Sequence, residues 1–136
     1  MKRQLFVLLG IGLLLGTASA YAQTIHLKAD IPFNFVVGNT TLPSGEYTIR
    51  SLNTSEALSI SGSAQNSVAF LANRSYSPKA SAQTKLVFAR YGDRYFLSEM
   101  WVEGNSVGRE IPKSRREVRV AENETAQPVV VLAELR

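Results

Sequence analysis

Apolar and polar residues alternate along most of the chain after residue 23, and this period of two is typical of strands with one buried face. Ile25, Leu27 and Ala29 share one face of the first such run, and Tyr47 and Ile49 share a face of a later one. Turn residues separate the runs at intervals of roughly 8–12 residues. The pattern predicts an all-β, mainly antiparallel fold, either a small β-sandwich or a barrel.

The stretch from Ile31 to Ser51 contains two turn signals. Gly38-Asn39 can supply the positive φ angles of a tight turn, and Leu42-Pro43-Ser44-Gly45 has proline and glycine where a β-turn accepts them. A loop that binds phosphate needs several glycines leading into a helix, whereas here one glycine leads into a strand. The stretch therefore predicts strand reversals and not a ligand-binding loop.

The clearest hairpin lies between Lys85 and Glu103, with Gly92-Asp93 as its two-residue loop. That loop sets the register, so Phe88 is expected opposite Leu97, and Leu86 opposite Glu99. Both faces are largely apolar, which predicts that other elements cover each of them. One face is expected to carry Val87, Ala89, Tyr91, Phe96, Met100 and Val102, and the other Leu86, Phe88, Tyr95, Leu97 and Trp101.

Two further strands follow this hairpin. Gly104-Asn105 predicts a second tight turn that returns residues 106–111 beside the long strand, which makes a three-stranded meander. The apolar run from Pro128 to Leu135 predicts a closing, well-buried strand.

Residues 114–123 carry signals for both a helix and a strand. Ser114 and Glu117 match a capping box, in which the two side chains satisfy exposed backbone N–H groups at the start of a helix. Val118 and Val120 alternate as they would in a strand. The capping signal favours one short helix here.

The N-terminal residues have the pattern of a secretory signal peptide. A basic start precedes an apolar run, Leu5–Gly16, and small residues follow it. A helix of about 12 residues reaches about 18 Å, which is short of the roughly 30 Å hydrocarbon core of a membrane. We expect a signal peptide at residues 1–22, cleaved after Ala22 or, as the alternative, after Ala20. A single β-rich domain at residues 23–136 would remain, exported to the periplasm or the extracellular space.

Composition narrows the chemistry of this domain. Removing 22 of the 136 residues leaves 114, which can bury a core without cross-links. The chain has no cysteine, so thiol chemistry and cysteine metal sites are excluded. The domain would hold 13 basic and 11 acidic residues, and this mild charge does not predict nucleic-acid binding. No later run is long and apolar enough to predict a membrane span.

The candidate catalytic residues are few. His26 is the single histidine and lies on the polar side of an alternating strand, so we expect a surface residue and neither a catalytic nor a metal-binding role. Glu99 and Glu103 stand four apart on one strand, about 13 Å, which is too far for a glycosidase pair. Glu46 or Glu110 could supply a nearer acid. The sequence predicts no catalytic residue, no metal site and no cofactor.

The hairpin also places arginine opposite tyrosine at two positions. Arg90 is expected opposite Tyr95, and Arg94 opposite Tyr91, which favours cation–π contacts across the two strands. We interpret them as local stabilisation of the hairpin. The functional alternative is an aromatic and basic patch for sugars or anionic polymers.

One region has charge of predominantly one sign and is the tentative basic binding surface. It would meet anionic lipid headgroups, an anionic polymer such as an acidic polysaccharide, or a protein of the envelope, although a solvated helix face has the same composition. Its basic residues are Arg109, Lys113, Arg115, Arg116 and Arg119, set against Glu110 and Glu117.

Three segments together carry a family resemblance: "IPFNFVVGNTTLPSGEYTI", "LVFARYGDRYFLSEMW" and "GREIPKSRREV". They resemble a family of small exported bacterial proteins, common in soil acidobacteria. The resemblance covers most of the chain after the signal segment and implies an extracytoplasmic β-rich domain. It carries no known active site, so it assigns no functional residue.

These observations predict a non-catalytic exported β-domain with a binding or structural role in the cell envelope. The alternative is a small barrel that carries an apolar ligand in a cavity lined by Phe88, Leu97 and Trp101. A hydrolase built on carboxylates is less favoured. The sequence does not indicate the oligomeric state.

Overall fold

A computed structural model describes residues 25–52, 56–63 and 66–136, which form eleven strands and one helix. The first seven strands, β1 to β7, are His26–Ile31, Phe35–Val37, Thr40–Leu42, Gly45–Ser51, Ala57–Gly62, Ser67–Leu71 and Asn73–Tyr76. Strands β8 to β10 are Lys85–Tyr91, Arg94–Trp101 and Val107–Glu110. Helix α1, Arg115–Ala121, and strand β11, Gln127–Leu135, complete the chain.

The strands form one nearly closed, barrel-like sheet in the order β3-β2-β9-β8-β11-β1-β4-β5-β6. Strand β10 pairs with both β9 and β7. Because β7 continues β6 after the single residue Ala72, β10 joins the β6–β7 strand to β9 and completes the ring over part of its height. All pairs are antiparallel except β2 with β9. The prediction of a mainly antiparallel all-β fold with one short helix is confirmed.

The core fills the inside of this sheet. Strand alternation sends every second residue inward, so Leu27, Ile49 and Ile60 are almost fully buried while their neighbours are not. Phe88 and Phe35 are also buried and meet edge to face, with ring centroids 5.6 Å apart. The sequence alternation therefore identifies the inward face of most strands correctly.

The stretch from Ile31 to Ser51 turns the chain twice, as predicted. Gly38 has a φ of +60° in the two-residue turn between β2 and β3, a conformation that glycine adopts without strain. The second turn is tied by the hydroxyl of Tyr47, which donates to the carbonyl oxygen of Pro43 at 2.6 Å. Asn34 adds a bond, since its Oδ1 accepts from the backbone N–H of Ser44 at 3.0 Å.

The β8–β9 hairpin keeps its predicted register only near the turn. Phe88 pairs with Leu97 as expected, but Leu86 pairs with Met100 and not with Glu99. The strand β9 has one extra residue at Ser98, a β-bulge that shifts the pairing by one position. Met100 consequently joins the core beside Leu86, so its predicted place on the face of Tyr91 was wrong.

The second face of the hairpin is covered by helix α1. The helix begins after Ser114, whose Oγ accepts a hydrogen bond from the backbone N–H of Glu117, as the capping signal predicted. Val120 of the helix packs on a small cluster that contains Tyr91 and Phe96. The predicted meander of β8, β9 and β10 is also present. Near the turn of the hairpin, the main core covers one face and helix α1 covers the other.

The closing strand is less buried than predicted. In β11, Val131 is buried, but Val130 is 50 % exposed and Leu132 is 60 % exposed. Its first six residues pair with β8 and its last three pair with β1, so the strand links these two strands in the sheet. Helix α1 lies on a different part of the sheet, and no other element among the described residues covers the outer face of β11. The expectation of a well-buried strand was therefore wrong.

The predicted signal peptide at residues 1–22, with its cleavage after Ala22 or Ala20, lies outside the described residues. Within the described ranges, no helix is both long enough and apolar enough to cross a membrane.

Candidate functional site

The candidate site is a partly enclosed cavity of about 220 Å³ at one end of the barrel. Strands β7, β9 and β10, the start of β1 and the end of β11 meet there. Most of the wall is apolar, and its polar groups come from two arginines and one asparagine. The lining residues are Ile25, Leu27, Arg74, Met100, Val102, Asn105, Val107, Gly108, Arg109 and Leu135.

The two arginines of the cavity are direct neighbours. The register of β7 with β10 places Arg74 opposite Arg109, so the side chains extend from the same face of adjacent strands. Among the described residues, the Nε of Arg109 is a buried polar atom without a hydrogen-bond partner. Neither arginine takes part in the two ion pairs found in the described part of the chain, Lys28–Glu46 and Arg136–Glu134.

The electrostatics of this pair favour an anion. Burial lowers the pKa of the Arg109 guanidinium, and the positive charge of Arg74 lowers it further. Glu56 and Tyr76 act on that pKa in the opposite direction and offset part of the effect. Two like charges on opposed residues, one of them with a buried and unpaired N–H, are unfavourable until an acceptor is bound.

A glycine shapes the strand that carries Arg109. A Cβ atom at Gly108 would lie 2.6 Å from Cε3 of Trp101 and 2.7 Å from the carbonyl oxygen of Met100. The indole of Trp101 can therefore lie against the backbone of β10, on the face opposite Arg109 and Met100. Its Nε1 donates to the carboxylate of Glu99 at 3.2 Å, which fixes the ring.

We expect Gly108→Ala to lower the free energy of unfolding by about 1–3 kcal/mol, since the added methyl group collides with Trp101 and the β9 backbone and pushes both away from β10. Urea denaturation followed by circular dichroism measures the loss. Ser106→Ala, a change at an exposed residue just before β10, is the matched control and should stay within about 0.5 kcal/mol of the wild type. Equal stability of G108A and the wild type would contradict the close packing of the indole on β10.

The five residues of the tentative basic surface are distributed over different parts of the fold. Arg109 lines the cavity, whereas Arg115 lines a separate groove beside β6. Arg116 donates from Nη1 to Oγ1 of Thr41 at 3.1 Å. Lys113 and Arg119 are exposed in the segment that contains α1. These residues are close together in the sequence, but Arg109 lies apart from the other four in the structure because it belongs to β10.

The acidic residues and the histidine lie as follows. His26 is half-buried and pairs with Arg50 across β1 and β4. Glu110 is directly opposite Glu99 in the β9–β10 ladder, so Glu110 is the nearer acid that the sequence left open. Neither His26 nor Glu110 lines the cavity or the groove beside β6. In the described residues, no group of three or more His, Asp or Glu side chains could hold a metal ion.

One of the two expected cation–π contacts is formed. The guanidinium of Arg90 lies 5.6 Å from the ring centroid of Tyr95, and Phe33 stacks on the same ring at 3.8 Å. The other tyrosine, Tyr91, turns inward and donates its hydroxyl to Glu117 at 2.9 Å. The contact of Arg90 with Tyr95 packs against the edge of the core at the hairpin, which agrees with a role in local stabilisation.

The cavity differs from the one expected for a carrier. Phe88 and Leu97 are fully packed in the core, and neither they nor Trp101 line it. That choice of lining residues was wrong, because it took the most apolar face of the hairpin for a cavity wall. The pairing of Arg74 with Arg109 was not predicted from the sequence. The two residues are 35 positions apart in the chain, and no local sequence pattern indicates which distant strands pair.

Comparisons of the chain with protein-family models, with curated proteins and with solved structures gave no match. The resemblance to small exported acidobacterial proteins stays a prediction.

Proposed function

We propose that this protein is an exported, non-catalytic binding domain whose barrel cavity takes a small carboxylate with an apolar body. The sequence of residues 1–22 supports export. The arrangement of the cavity supports the ligand class, because an apolar wall meets two adjacent guanidinium groups.

The observation that carries the proposal is the buried Nε of Arg109, which finds no acceptor among the described residues. Buried polar groups are nearly always hydrogen-bonded, and an unsatisfied donor costs about 1–3 kcal/mol. A carboxylate can accept two parallel N–H bonds from one guanidinium. Its charge would also offset the repulsion between Arg109 and Arg74. A neutral ligand could accept one hydrogen bond from Nε, but it would not offset the repulsion between the two arginines.

The size of the cavity limits the ligand. An apolar cavity of about 150 Å³ is large enough for benzene, whereas drug-sized ligands need about 300 Å³ or more. The cavity of about 220 Å³ lies between these values. It suits a medium-chain fatty acid or a monocyclic aromatic acid, with the apolar part against Leu27, Met100 and Leu135.

The test is a titration of the purified full-length protein with octanoate, and with octanol as the uncharged probe of the same chain length. Isothermal titration calorimetry measures both affinities, because the single tryptophan, Trp101, packs on the face of β10 opposite the cavity. We expect saturable binding of octanoate at least about ten times tighter than that of octanol, because one charge-assisted hydrogen bond contributes about 1.5–3 kcal/mol. Equal affinities, or saturation by neither probe, would overturn the proposal.

The variant Arg109→Met separates the ligand contact from folding. It keeps the length of the side chain and removes the donor, so octanoate affinity is expected to fall about 10- to 100-fold while octanol binding is retained. The free energy of unfolding is expected to stay the same or rise, since a partly buried charge is removed. Arg119→Met, at an exposed arginine of α1, is the matched control and leaves both affinities unchanged.

A further inference from the structure

The barrel has a gap on one side, next to β6. Strand β10 is four residues long and pairs with β7, the second half of the β6–β7 strand. After Glu110 the chain keeps one more bond to β9, from the N–H of Ile111 to the carbonyl of Ser98, and then leaves the sheet at Pro112. Within the described residues, β6 therefore pairs with β5 on one side and with no strand on the other.

The hydrogen bonds show which backbone groups of β6 face this gap. The carbonyl of Asn66 accepts from Gly62, and the N–H of Ala72 donates to Glu56, so both residues bond toward the β5 side. Since the direction alternates along an antiparallel ladder, residues 68 and 70 also bond to β5. The N–H and C=O groups of residues 67, 69 and 71 consequently point into the gap. All three residues are exposed.

The gap is a groove with an apolar floor and a positive wall. Its volume is about 670 Å³, and the β2–β3 turn forms the side opposite β6. Val37, Phe70 and Ile111 are buried beneath it, and Leu71 at its rim is 66 % exposed. Arg115, in the first turn of α1, supplies the charge of the wall.

We propose that this groove binds an extended acidic segment of a partner protein, which adds to the free edge of β6 as a further strand. The three outward backbone units, spaced two residues apart, match the hydrogen-bonding repeat of an extended peptide. Alternate side chains of that peptide would cover the apolar floor, and an acidic side chain would pair with Arg115. A second copy of this chain fits less well, because its own edge, residues 66–73, carries no acidic residue to offer to Arg115.

The experiment uses acetylated seven-residue peptides of alternating threonine and valine, with one glutamate moved along the series. Fluorescence anisotropy of the labelled peptides measures their binding to the full-length protein, and amide hydrogen exchange locates it. We expect at least one peptide to bind saturably and to slow exchange at residues 67, 69 and 71. The same peptide with lysine for glutamate is expected to bind at least about tenfold more weakly.

Two variants make the test specific to the edge. Ala69→Pro removes an N–H that points into the groove and leaves the bonds to β5 in place, so it abolishes peptide binding, whereas Ala69→Ser retains it. Arg115→Glu reverses the preference between the glutamate and lysine peptides. Peptide binding that survives A69P would overturn the proposal, as would unchanged exchange at the three residues. Protection of the same amides by self-association would assign the groove to a second copy instead.

This proposal is independent of the cavity ligand. Neither Ala69 nor Arg115 lines the cavity, so A69P and R115E are expected to bind octanoate as the wild type does. Loss of either activity therefore leaves the other testable.

Discussion

Phe88→Ala is expected to lower the free energy of unfolding by about 3–5 kcal/mol. The side chain is fully buried and its ring meets Phe33 and Phe35 edge to face, at 4.9 and 5.6 Å between centroids. Truncation removes the transfer free energy of the ring, its aromatic contacts and the packing of the neighbours that surround the new cavity. A domain of this size is stable by about 5–15 kcal/mol, so the variant is close to the limit of folding.

Urea denaturation of the purified protein measures this loss, and two further variants make it interpretable. Phe88→Leu keeps most of the buried volume and is expected to lose less than half as much, which gives a value even where F88A does not fold. Leu71→Ala, at a side chain that is 66 % exposed, is the surface control and should change the stability by about 0.5 kcal/mol or less. A loss in F88A no larger than that in L71A would show that the ring does not lie in the core.

The position of Phe88 illustrates how far sequence reasoning reaches. The Gly92-Asp93 loop fixed the pairing of Phe88 with Leu97 correctly, because a two-residue loop allows one register. Beyond Ser98 the same reasoning failed, since the extra residue of a bulge changes the face of everything after it. The spacing of Leu97 and Met100, three apart and both buried, is the trace of this bulge in the sequence.

Strand existence was easier to predict than strand coverage. The apolar run in β11 is a strand, but an apolar run does not indicate which element will cover each face, and Val130 and Leu132 remain exposed. The candidate site was harder still. Arg109 was singled out for its charge, whereas its role depends on Arg74 and on the register between β7 and β10, which no local pattern encodes.

The capping signal at Ser114 and Glu117 was correct for the helix but incomplete for the glutamate. The Ser114 side chain caps the backbone as expected. The Glu117 carboxylate, however, accepts a hydrogen bond from Tyr91 at 2.9 Å beneath the helix and is 5 % exposed. A residue read as half of a capping box therefore attaches helix α1 to the sheet.

Tyr91→Phe is expected to lower the free energy of unfolding by about 1–3 kcal/mol near neutral pH, because it leaves the buried carboxylate of Glu117 without this donor. Burial raises the pKa of Glu117, while the bond from Tyr91 and the charge of Lys113 lower it. Burial, the bond to Glu117 and the charge of Glu117 together raise the pKa of Tyr91 to about 12, so its hydroxyl keeps its proton. Removing the hydroxyl raises the pKa of Glu117 further.

The pH dependence follows from this direction. The folded pKa of this carboxyl group lies above the ordinary glutamate value of 4.5. Its contribution to the free energy of unfolding is therefore complete below pH 4.5, and it falls as the pH rises through the folded pKa. The cost of Y91F relative to the wild type is therefore expected to be small in acid and larger at neutrality. Urea denaturation of Y91F and the wild type, below pH 4.5 and near neutral pH, measures this change in cost.

Glu117→Gln distinguishes the titration from the packing. The amide oxygen can still accept from Tyr91, but the group no longer ionises, so E117Q is expected to lose the part of the wild-type pH dependence that lies above pH 4.5. Tyr91→Phe combined with Glu117→Gln should then show a cost that does not vary across the same range. A cost of Y91F that is equal in acid and at neutrality would mean that the carboxylate is not the group that the tyrosine stabilises. The attachment of α1 to the sheet would then depend on the apolar contacts of Val120 with the cluster of Tyr91 and Phe96.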